Sequence, residues 1–255
     1  TLSSAPNSYS PSGFAVAPYD SAPGSGFENE LWAFVGRDVY SGGDDNWTLE
    51  TEPQNLDVYY RNGVAFGKWV IAAALYGGTD VDDCAMPYIL KEPTSADWTA
   101  STITAGRFKH FAVTKNNAGN DLLWGGNHIF DTGIDLSGAH NDSTTTVACD
   151  ADPTSTISVN DLILVGAAGA QEVMLVTAVT NPNLTVVRAY GDTAQSYSGG
   201  ESIFLYQPHG IKSSSDPTNA SGSWSSVTTV GQDDSPITGL VVDEDSSTLL
   251  IAKTN

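Results

Sequence analysis

Short apolar runs separated by polar, glycine-rich turns follow one another from Phe27 onward, and no stretch carries convincing helical spacing. Leu31-Trp32-Ala33-Phe34-Val35-Gly36 predicts a strand, continued by Asp38-Val39-Tyr40, a turn at 41–45 and a strand opening at Trp47-Thr48-Leu49-Glu50. A second group starts with Val58-Tyr59-Tyr60, turns at Arg61-Asn62-Gly63, and continues through 68–76, which is so uniformly apolar that it predicts a strand buried on both faces. An acidic loop at 77–83 leads to Tyr88-Ile89-Leu90-Lys91, a turn at 92–96 and Trp98. The third group has strands at 108–113 and 122–126 around a turn at 116–120, and its continuation arrives only at 211–216 and Trp224. A fourth group opens with Ile237-Thr238-Gly239-Leu240-Val241-Val242, turns at 243–247 and closes with Thr248-Leu249-Leu250-Ile251-Ala252.

Three of these groups end in the same phrase: Asp45-Asn46-Trp47-Thr48, Ala96-Asp97-Trp98-Thr99 and Gly222-Ser223-Trp224-Ser225. The first two tryptophans stand 51 positions apart and the last two 126. With a unit of about 50 residues, as in the longer propeller repeats, the second gap is one unit plus roughly 75 residues. The segment 141–207 is foreign to the repeat and supplies most of that excess. The expected fold is therefore all-β: propeller-like blades over 27–140, an inserted small β-barrel over 141–207, and a blade continuation over 208–255. Residues 1–26, built from Ser, Pro, Gly and Ala, read as a flexible arm or linker. The recurring Trp is expected to fill the space between blades. Three and a half units leave the propeller incomplete within this chain, since a ring normally takes at least four blades. Further blades beyond Asn255 or other subunits would close it; an open β-sandwich is the competing architecture. The start at Thr1 rather than Met, without a signal-peptide core, reads as a processed product or a fragment.

The inserted segment follows its own rule. Strands are expected at 143–147, 159–165, 172–179, 184–190 and 202–206, five in a short span, which fits a small, strongly twisted barrel. Within it, Glu172-x-Met174-x-Val176-Thr177-x-Val179, then Asn183-Leu184-Thr185-Val186-x-Arg188, then Gly191-x-Thr193 resembles a β-barrel module recurrent in structural proteins of tailed bacteriophages. That module usually carries "E-x-M-x-V", "L-T-V-x-R-G" and a Gly-Thr; this chain has Ala189 in place of the Gly, and Asp192 splits Gly191 from Thr193. The resemblance covers about a quarter of the chain and implies a part in a virion, in a tail or appendage. Glu172 and Arg188, on adjacent strands, are expected to form a structural ion pair.

Composition narrows the partners. Ten basic against thirty acidic residues give a net charge of -20, which repels phosphate backbones and anionic membranes and attracts cations such as calcium. No nucleic-acid or membrane partner is expected, and no run reaches the length of a transmembrane helix. Charged residues make up only 16%, against many turn formers and β-branched residues, which again disfavours helices. Cys84 and Cys149 fit neither a disulfide framework nor a zinc pattern and read as buried free thiols.

Candidate chemistry is sparse. Ser214-Ser215-Asp216 followed by Gly222-Ser223-Trp224 resembles the Asp-box turn of sialidase-like propellers, Ser-x-Asp-x-Gly-x-Thr-Trp, with the Asp-to-Gly spacing stretched. In that family the turn stabilises the fold away from the active site. A sialidase-like glycosidase would need an arginine cluster, and the chain has Arg37, Arg61, Arg107 and Arg188, three of them in successive blade units. Calcium could bind Asp80-Val81-Asp82-Asp83, Asp44-Asp45, Asp233-Asp234 or Asp243-Glu244-Asp245, none with the spacing of a dedicated loop. His110, His128, His140 and His209 lack zinc spacing, although His128 and His209 flank the insertion. The glycine pairs at 42–43, 77–78, 125–126 and 199–200 read as isolated turn glycines, and sequons begin at Asn46, Asn141, Asn183 and Asn219. No catalytic, cofactor or dedicated metal residue is assigned. The expected function is that of a non-enzymatic virion structural protein, homo-oligomeric and in contact with other virion proteins and a host-surface glycan or receptor. A secreted or surface glycan-binding propeller, or a sialidase-like enzyme, is the alternative.

Overall fold

A computed structural model describes residues 13–18, 29–35, 38–43, 46–50, 58–76, 89–91, 98–100, 107–166, 171–190, 193–218, 224–231, 235–243, 245 and 247–254. The fold is all-β, with blade-like sheets and no α-helix among the described residues. Strands β1 (Gly13–Pro18), β2 (Asn29–Val35), β3 (Asp38–Gly43) and β4 (Asn46–Leu49) form one antiparallel sheet in chain order. Strands β5 (Val58–Phe66), β6 (Trp69–Tyr76), β7 (Ile89–Lys91) and β8 (Thr99–Ala100) repeat that meander. The third sheet contains β9 (Arg107–Lys115), β10 (Asp121–Asp135), β11 (Thr146–Ala148), β12 (Leu162–Val165), β13 (Glu172–Thr180), β14 (Asn183–Val187), β15 (Ser202–Ser214) and β16 (Thr228–Thr229). Its order is β11-β14-β13-β12-β15-β10-β9, with β16 on β15, so β9-β10-β15-β16 is a third blade meander interrupted between its second and third strands. Strands β17 (Ile237–Asp243) and β18 (Thr248–Lys253) make a two-stranded sheet.

The chain divides into two compact units. One comprises 1–77, 85–128 and 209–255; the other comprises 78–84 and 129–208, and β10 and β15 contribute to both.

In the first unit the leading strands of successive blades lie against one another: β1 on β5, β5 on β9, β9 on β17. Three apolar clusters fill the gaps between sheets. Ala15, Trp32, Phe34 and Val39 meet Tyr60, Val70, Ala72 and Trp98. Ile71 and Ala73 meet Phe108, Phe111, Leu123 and Trp224. Ala112 and Ile211 meet Ile237, Leu240, Val242, Leu249 and Ile251. Strand β6 enters two of these clusters through alternate residues, Val70 and Ala72 on one face and Ile71 and Ala73 on the other. A strand sandwiched between blades needs apolar residues on both faces, which explains its unbroken run.

Two expectations are corrected here. Arg61-Asn62-Gly63 is not a turn: β5 runs through it, with a register shift between Tyr60 and Asn62, and the hairpin turns at Gly67-Lys68 instead. Gly63 serves packing, because a Cβ there would lie 1.9 Å from Cε2 of Phe34. Gly125-Gly126 likewise sits inside β10, where a Cβ on Gly125 would lie 2.4 Å from Cδ1 of Phe108. Only a glycine lets the Phe34 ring of the first sheet lie over β5, and the Phe108 ring lie over β10, the neighbouring strand of its own sheet.

The second unit is built around Ile134, Leu136, Val147, Cys149, Ile157, Ile163, Val165, Met174, Val176, Leu184, Val186, Tyr197 and Ile203. Burial alternates along β13 and β14, as a twisted sheet with one inner face requires. Among the described residues the strand ladders leave every sheet open. A bridge between Leu136 and Cys149 links the end of β10 to β11, with hydrogen bonds from Ser137 N–H to Ala148 O (2.8 Å) and from Asp150 N–H to Asp135 O (2.9 Å). Parts of three expected strands are turns. Asn141 Oδ1 accepts the Ser143 N–H and both hydroxyls of Ser143 and Thr144, which delays β11 to Thr146. Asp161 Oδ2 accepts the Ser158 N–H and Asn160 takes φ 74, so β12 begins only at Leu162. Strand β14 ends at Val187 because Ala189 takes φ 52.

Candidate functional site

The motif residues of the inserted segment converge on one buried ion pair. Glu172 opens β13 opposite Val165 of β12, and Arg188 immediately follows β14. Arg188 Nε donates to Glu172 Oε1 at 2.7 Å and Nη2 to Oε2 at 2.5 Å, a bidentate fork. Nη1 donates to the carbonyls of Asn141 (2.8 Å) and Thr144 (2.9 Å), and Nη2 also to that of Gln195 (2.6 Å), so all five guanidinium N–H groups are placed. Glu172 accepts two further backbone N–H groups, Ala189 on Oε1 (2.7 Å) and Gln195 on Oε2 (2.9 Å). The Tyr197 ring lies 6.0 Å from Arg188 Cζ, and its hydroxyl donates to Val165 O at 3.1 Å.

Glu172 is fully buried and the Arg188 side chain is 7% exposed. Burial works to raise the Glu172 pKa, but the bonds from Arg188, Gln195 and Ala189 outweigh it and hold the carboxyl below its ordinary value. Its own hydrogen bonds to Glu172, and then the Glu172 charge, raise Arg188 against its burial. A carboxylate with all four acceptor positions filled has none to offer a substrate. The pair instead ties together β13, the end of β14, the turn at 141–144 and the segment at Gln195, a fully satisfied network of the kind that fixes one arrangement. The spacing of the motif points to Glu172 and Arg188; the three carbonyls and Gln195 have no local signal in the sequence.

His140 is a second staple. Its Nδ1 bonds Gly138 O at 2.9 Å and its Nε2 accepts the Ala148 N–H at 3.0 Å, which commits both ring nitrogens and makes Nδ1 the donor. Cys149 is a buried free thiol, pushed up to about 11 by burial and then by the charge of Asp150. Neither group is set up as a ligand or a nucleophile.

The repeated tryptophans occupy a consistent place in the first unit. Trp98 stands edge-on to Trp32 of the preceding blade, ring centroids 6.0 Å apart, and Trp224 lies 4.4 Å from Phe108 in the cluster that includes Ile71 and Ala73 of the preceding blade. Trp47 lies on the face of the first blade turned away from the second, with Ala33, Val35 and Tyr40. An isolated bridge pairs Ser214 with Trp224, with Asp216 N–H donating to Ser214 Oγ (3.1 Å) and Ser225 N–H to Ser213 O (2.8 Å). The bridge fastens the end of β15 to the tryptophan.

Most of the remaining candidates lie outside the described residues. Arg37 lies outside the described residues, as do the side chains of Arg61 and Arg107, whose backbones belong to β5 and β9. Arg61 is thus a strand residue rather than a turn residue. Of the acidic loops, 80–83, 44–45, 233–234 and Glu244 lie outside the described residues; Asp243 Oδ1 accepts the Asp245 N–H at 3.2 Å. No group of three metal-ligating side chains occurs among the described residues. The side chain of His128 lies outside them, so its relation to His209 is undescribed. Cys84 also lies outside. One residue had no sequence signal: Asn127, buried within β10 at φ 58, donates from Nδ2 to Ile237 O at 3.4 Å and ties the third blade to β17.

No protein-family model matches this chain, and no curated protein matches it.

Proposed function

We propose that the chain is a non-enzymatic structural component of a virion of the tailed-phage kind, placed in a tail or appendage on the extracellular particle. Its partners in this reading are other virion proteins, further copies of itself, and a glycan or receptor on the host surface. The blade array supplies the body, and the inserted unit serves docking. The observation that carries the reading is the Glu172–Arg188 network: the residues that resemble the phage module are the ones that organise the inserted unit, and they are spent on holding it together.

The test is to band particles from cultures that produce the chain on a density gradient, then to apply mass spectrometry and immunogold labelling. The chain is expected to co-band in fixed stoichiometry and to label one structural feature of the particle. Its absence from particles, together with saturable glycan binding by the free chain, would replace the virion reading with that of a secreted or surface glycan-binding propeller. Turnover of a sialoside would replace it with an enzyme.

A further inference from the structure

The inserted unit contains one histidine, His140; the other three, His110, His128 and His209, belong to the blade unit. The His140 ring is 6% exposed and its bonds fix one tautomer, with Nδ1 donating to Gly138 O and Nε2 accepting the Ala148 N–H. Ala148 lies in β11, the last strand in the order of its sheet. The next N–H, that of Cys149, goes to Pro182 O, so the N–H and carbonyl of Ala148 point away from β14 along the sheet edge. Ser137 N–H donates to that carbonyl at 2.8 Å. The segment 137–140 therefore caps the edge with one backbone bond and one ring bond, an imidazole standing where a carbonyl would ordinarily accept.

A carbonyl accepts at any pH, but this acceptor works in one protonation state. A proton on Nε2 makes it a donor facing the Ala148 N–H, and Nδ1 is already a donor toward Gly138, so the charged ring has no acceptor to offer. The His140 backbone does not follow the ring, because paired bonds of 3.0 and 2.7 Å anchor it to Tyr197. What the proton frees is the stretch 141–148, which carries the Asn141 and Thr144 carbonyls that hold Arg188 Nη1. The charged and titratable groups on the segments around the ring are Asp142 on the same turn, the Glu172–Arg188 pair, Cys149 and Asp150 after Ala148, Tyr197 across the bridge, and Glu201, which caps the turn whose Gly199 lies against Gly138. Burial pushes the Cys149 thiol up to about 11. Among these side-chain types the imidazole is the one that ordinarily changes charge between about pH 5 and 8. We infer that His140 is a proton-operated latch: neutral, it holds 141–148 against the segment 137–140, and protonated, it releases that stretch, uncapping the edge of β11 and loosening two acceptors of Arg188. The open form takes up a proton that the closed form has no place for, so the latch is shut above the ordinary imidazole range and opens as pH falls through it. This inference stands on the bonds of the inserted unit and does not rest on the virion reading.

The test is residue-resolved amide hydrogen exchange by NMR on the full chain, each rate taken relative to the unstructured chain at the same pH. Protection of the Ala148 N–H is expected to fall about twentyfold from about pH 7 to about pH 5, as one proton taken up on opening requires. It is also expected to stay below the protection of the ladder amides between β12 and β13, because the latch opens without the rest of the unit. His140→Gln keeps a side-chain donor and acceptor but does not titrate, and is expected to leave the Ala148 protection flat over the same range, whatever its level. Three results overturn the inference. One is a wild type whose Ala148 protection does not change with pH. The second is a fall of the same size in His140→Gln. The third is equal protection at Ala148 and in the β12–β13 ladder, which marks unfolding of the whole unit. If the variant does not fold, the nitrogen shifts of the wild-type ring take its place: co-titration with the Ala148 amide supports the latch, and a ring that titrates while that amide stays put overturns it.

Discussion

In the unit made of blade sheets, neighbours are joined by apolar faces: Trp32 and Phe34 against Tyr60 and Trp98, then Ile71 and Ala73 against Phe108 and Phe111. In the unit around 129–208 the apolar core is aliphatic but for Cys149, Met174 and Tyr197, and the turns and strand ends are fastened by a buried charge pair and by His140. Stacked blades offer broad, nearly parallel surfaces, so area and ring contacts suffice to register them. A small curled sheet has little area and many strand ends, and polar groups at those ends need partners. Directional bonds do there what repetition does in the blades. All six tryptophans belong to the blade unit and Cys149 to the other, so tryptophan fluorescence and thiol labelling read the two units separately.

Breaking the directional bonds tests the comparison most severely. Removing one partner of a buried pair leaves an uncompensated charge and costs about 3–5 kcal/mol. Arg188→Ala or Glu172→Ala is therefore expected to open the inserted unit, exposing Cys149 to a thiol reagent in a Cys84→Ser background, while the tryptophan transition moves much less. Glu172→Met with Arg188→Leu is expected to be less damaging than either single change, since it removes both charges at once. A double variant as unstable as the singles, or equal shifts in both probes, would refute the division of roles. The pair also sets an acid dependence. Glu172 titrates below its ordinary value of 4.5, so its contribution is complete above that value and drains away as pH falls through the folded one. Cys149 labelling by a pyridyl disulfide, taken relative to the unfolded chain at the same pH because the thiolate fraction itself falls with acid, is expected to accelerate on that acid side in the wild type and to lose this dependence in the Met/Leu variant.

On the blade side Trp98→Ala is the matching experiment, because the ring is 7% exposed and stacked edge-on to Trp32. Loss of a buried aromatic of this size costs about 3–5 kcal/mol. The expected result is a lowered denaturation midpoint by the remaining tryptophans with little change in Cys149 protection. Coincident loss of both would show that the two units unfold as one.

A smaller effect is expected at Gly63. Even the methyl of Gly63→Ala would stand 1.9 Å from the Phe34 ring, and the surrounding cluster is closed. Overpacking of this kind costs about 1–3 kcal/mol, read as a shift in urea midpoint of the tryptophan signal. An unchanged midpoint would mean that the blades slide apart at no cost, against the tight stacking inferred here.

Gly63 also marks where the sequence stops being legible. Asn62-Gly63 carries the local chemistry of a turn, and only the ring of Phe34, brought over from another sheet, reveals why the glycine is there. The blade order was readable because its signals are local and periodic: a Trp phrase per unit, and an apolar run wherever a strand is covered twice. The interruption between β10 and β15 was readable for the same reason, as a broken period. The Glu172–Arg188 pair could be anticipated from its place on adjacent strands. Its bonds to Asn141, Thr144 and Gln195 depend on chain segments that meet only in three dimensions. The turn at 158–161 was lost to the β-branched Val159, whose propensity yields to the Asp161 side chain and the left-handed Asn160.

The smallest effect sharpens the account of the inserted unit by stabilising it. Ala189 sits where the resembling module carries Gly, and it takes φ 52 while giving its N–H to Glu172. The left-handed conformation costs a Cβ-bearing residue about 1–2 kcal/mol. Glycine is free of that strain but loses more chain entropy, about 0.4–1 kcal/mol, on folding. The balance leaves Ala189→Gly more stable by roughly 0.5–1 kcal/mol. The substitution keeps the N–H and alters no bond of Glu172 or Arg188, so it is expected to slow Cys149 labelling while the tryptophan midpoint stays put. A destabilised Gly variant would mean that the Ala189 methyl contributes packing that outweighs its strained backbone, and that this chain's departure from the module is an adaptation rather than a cost.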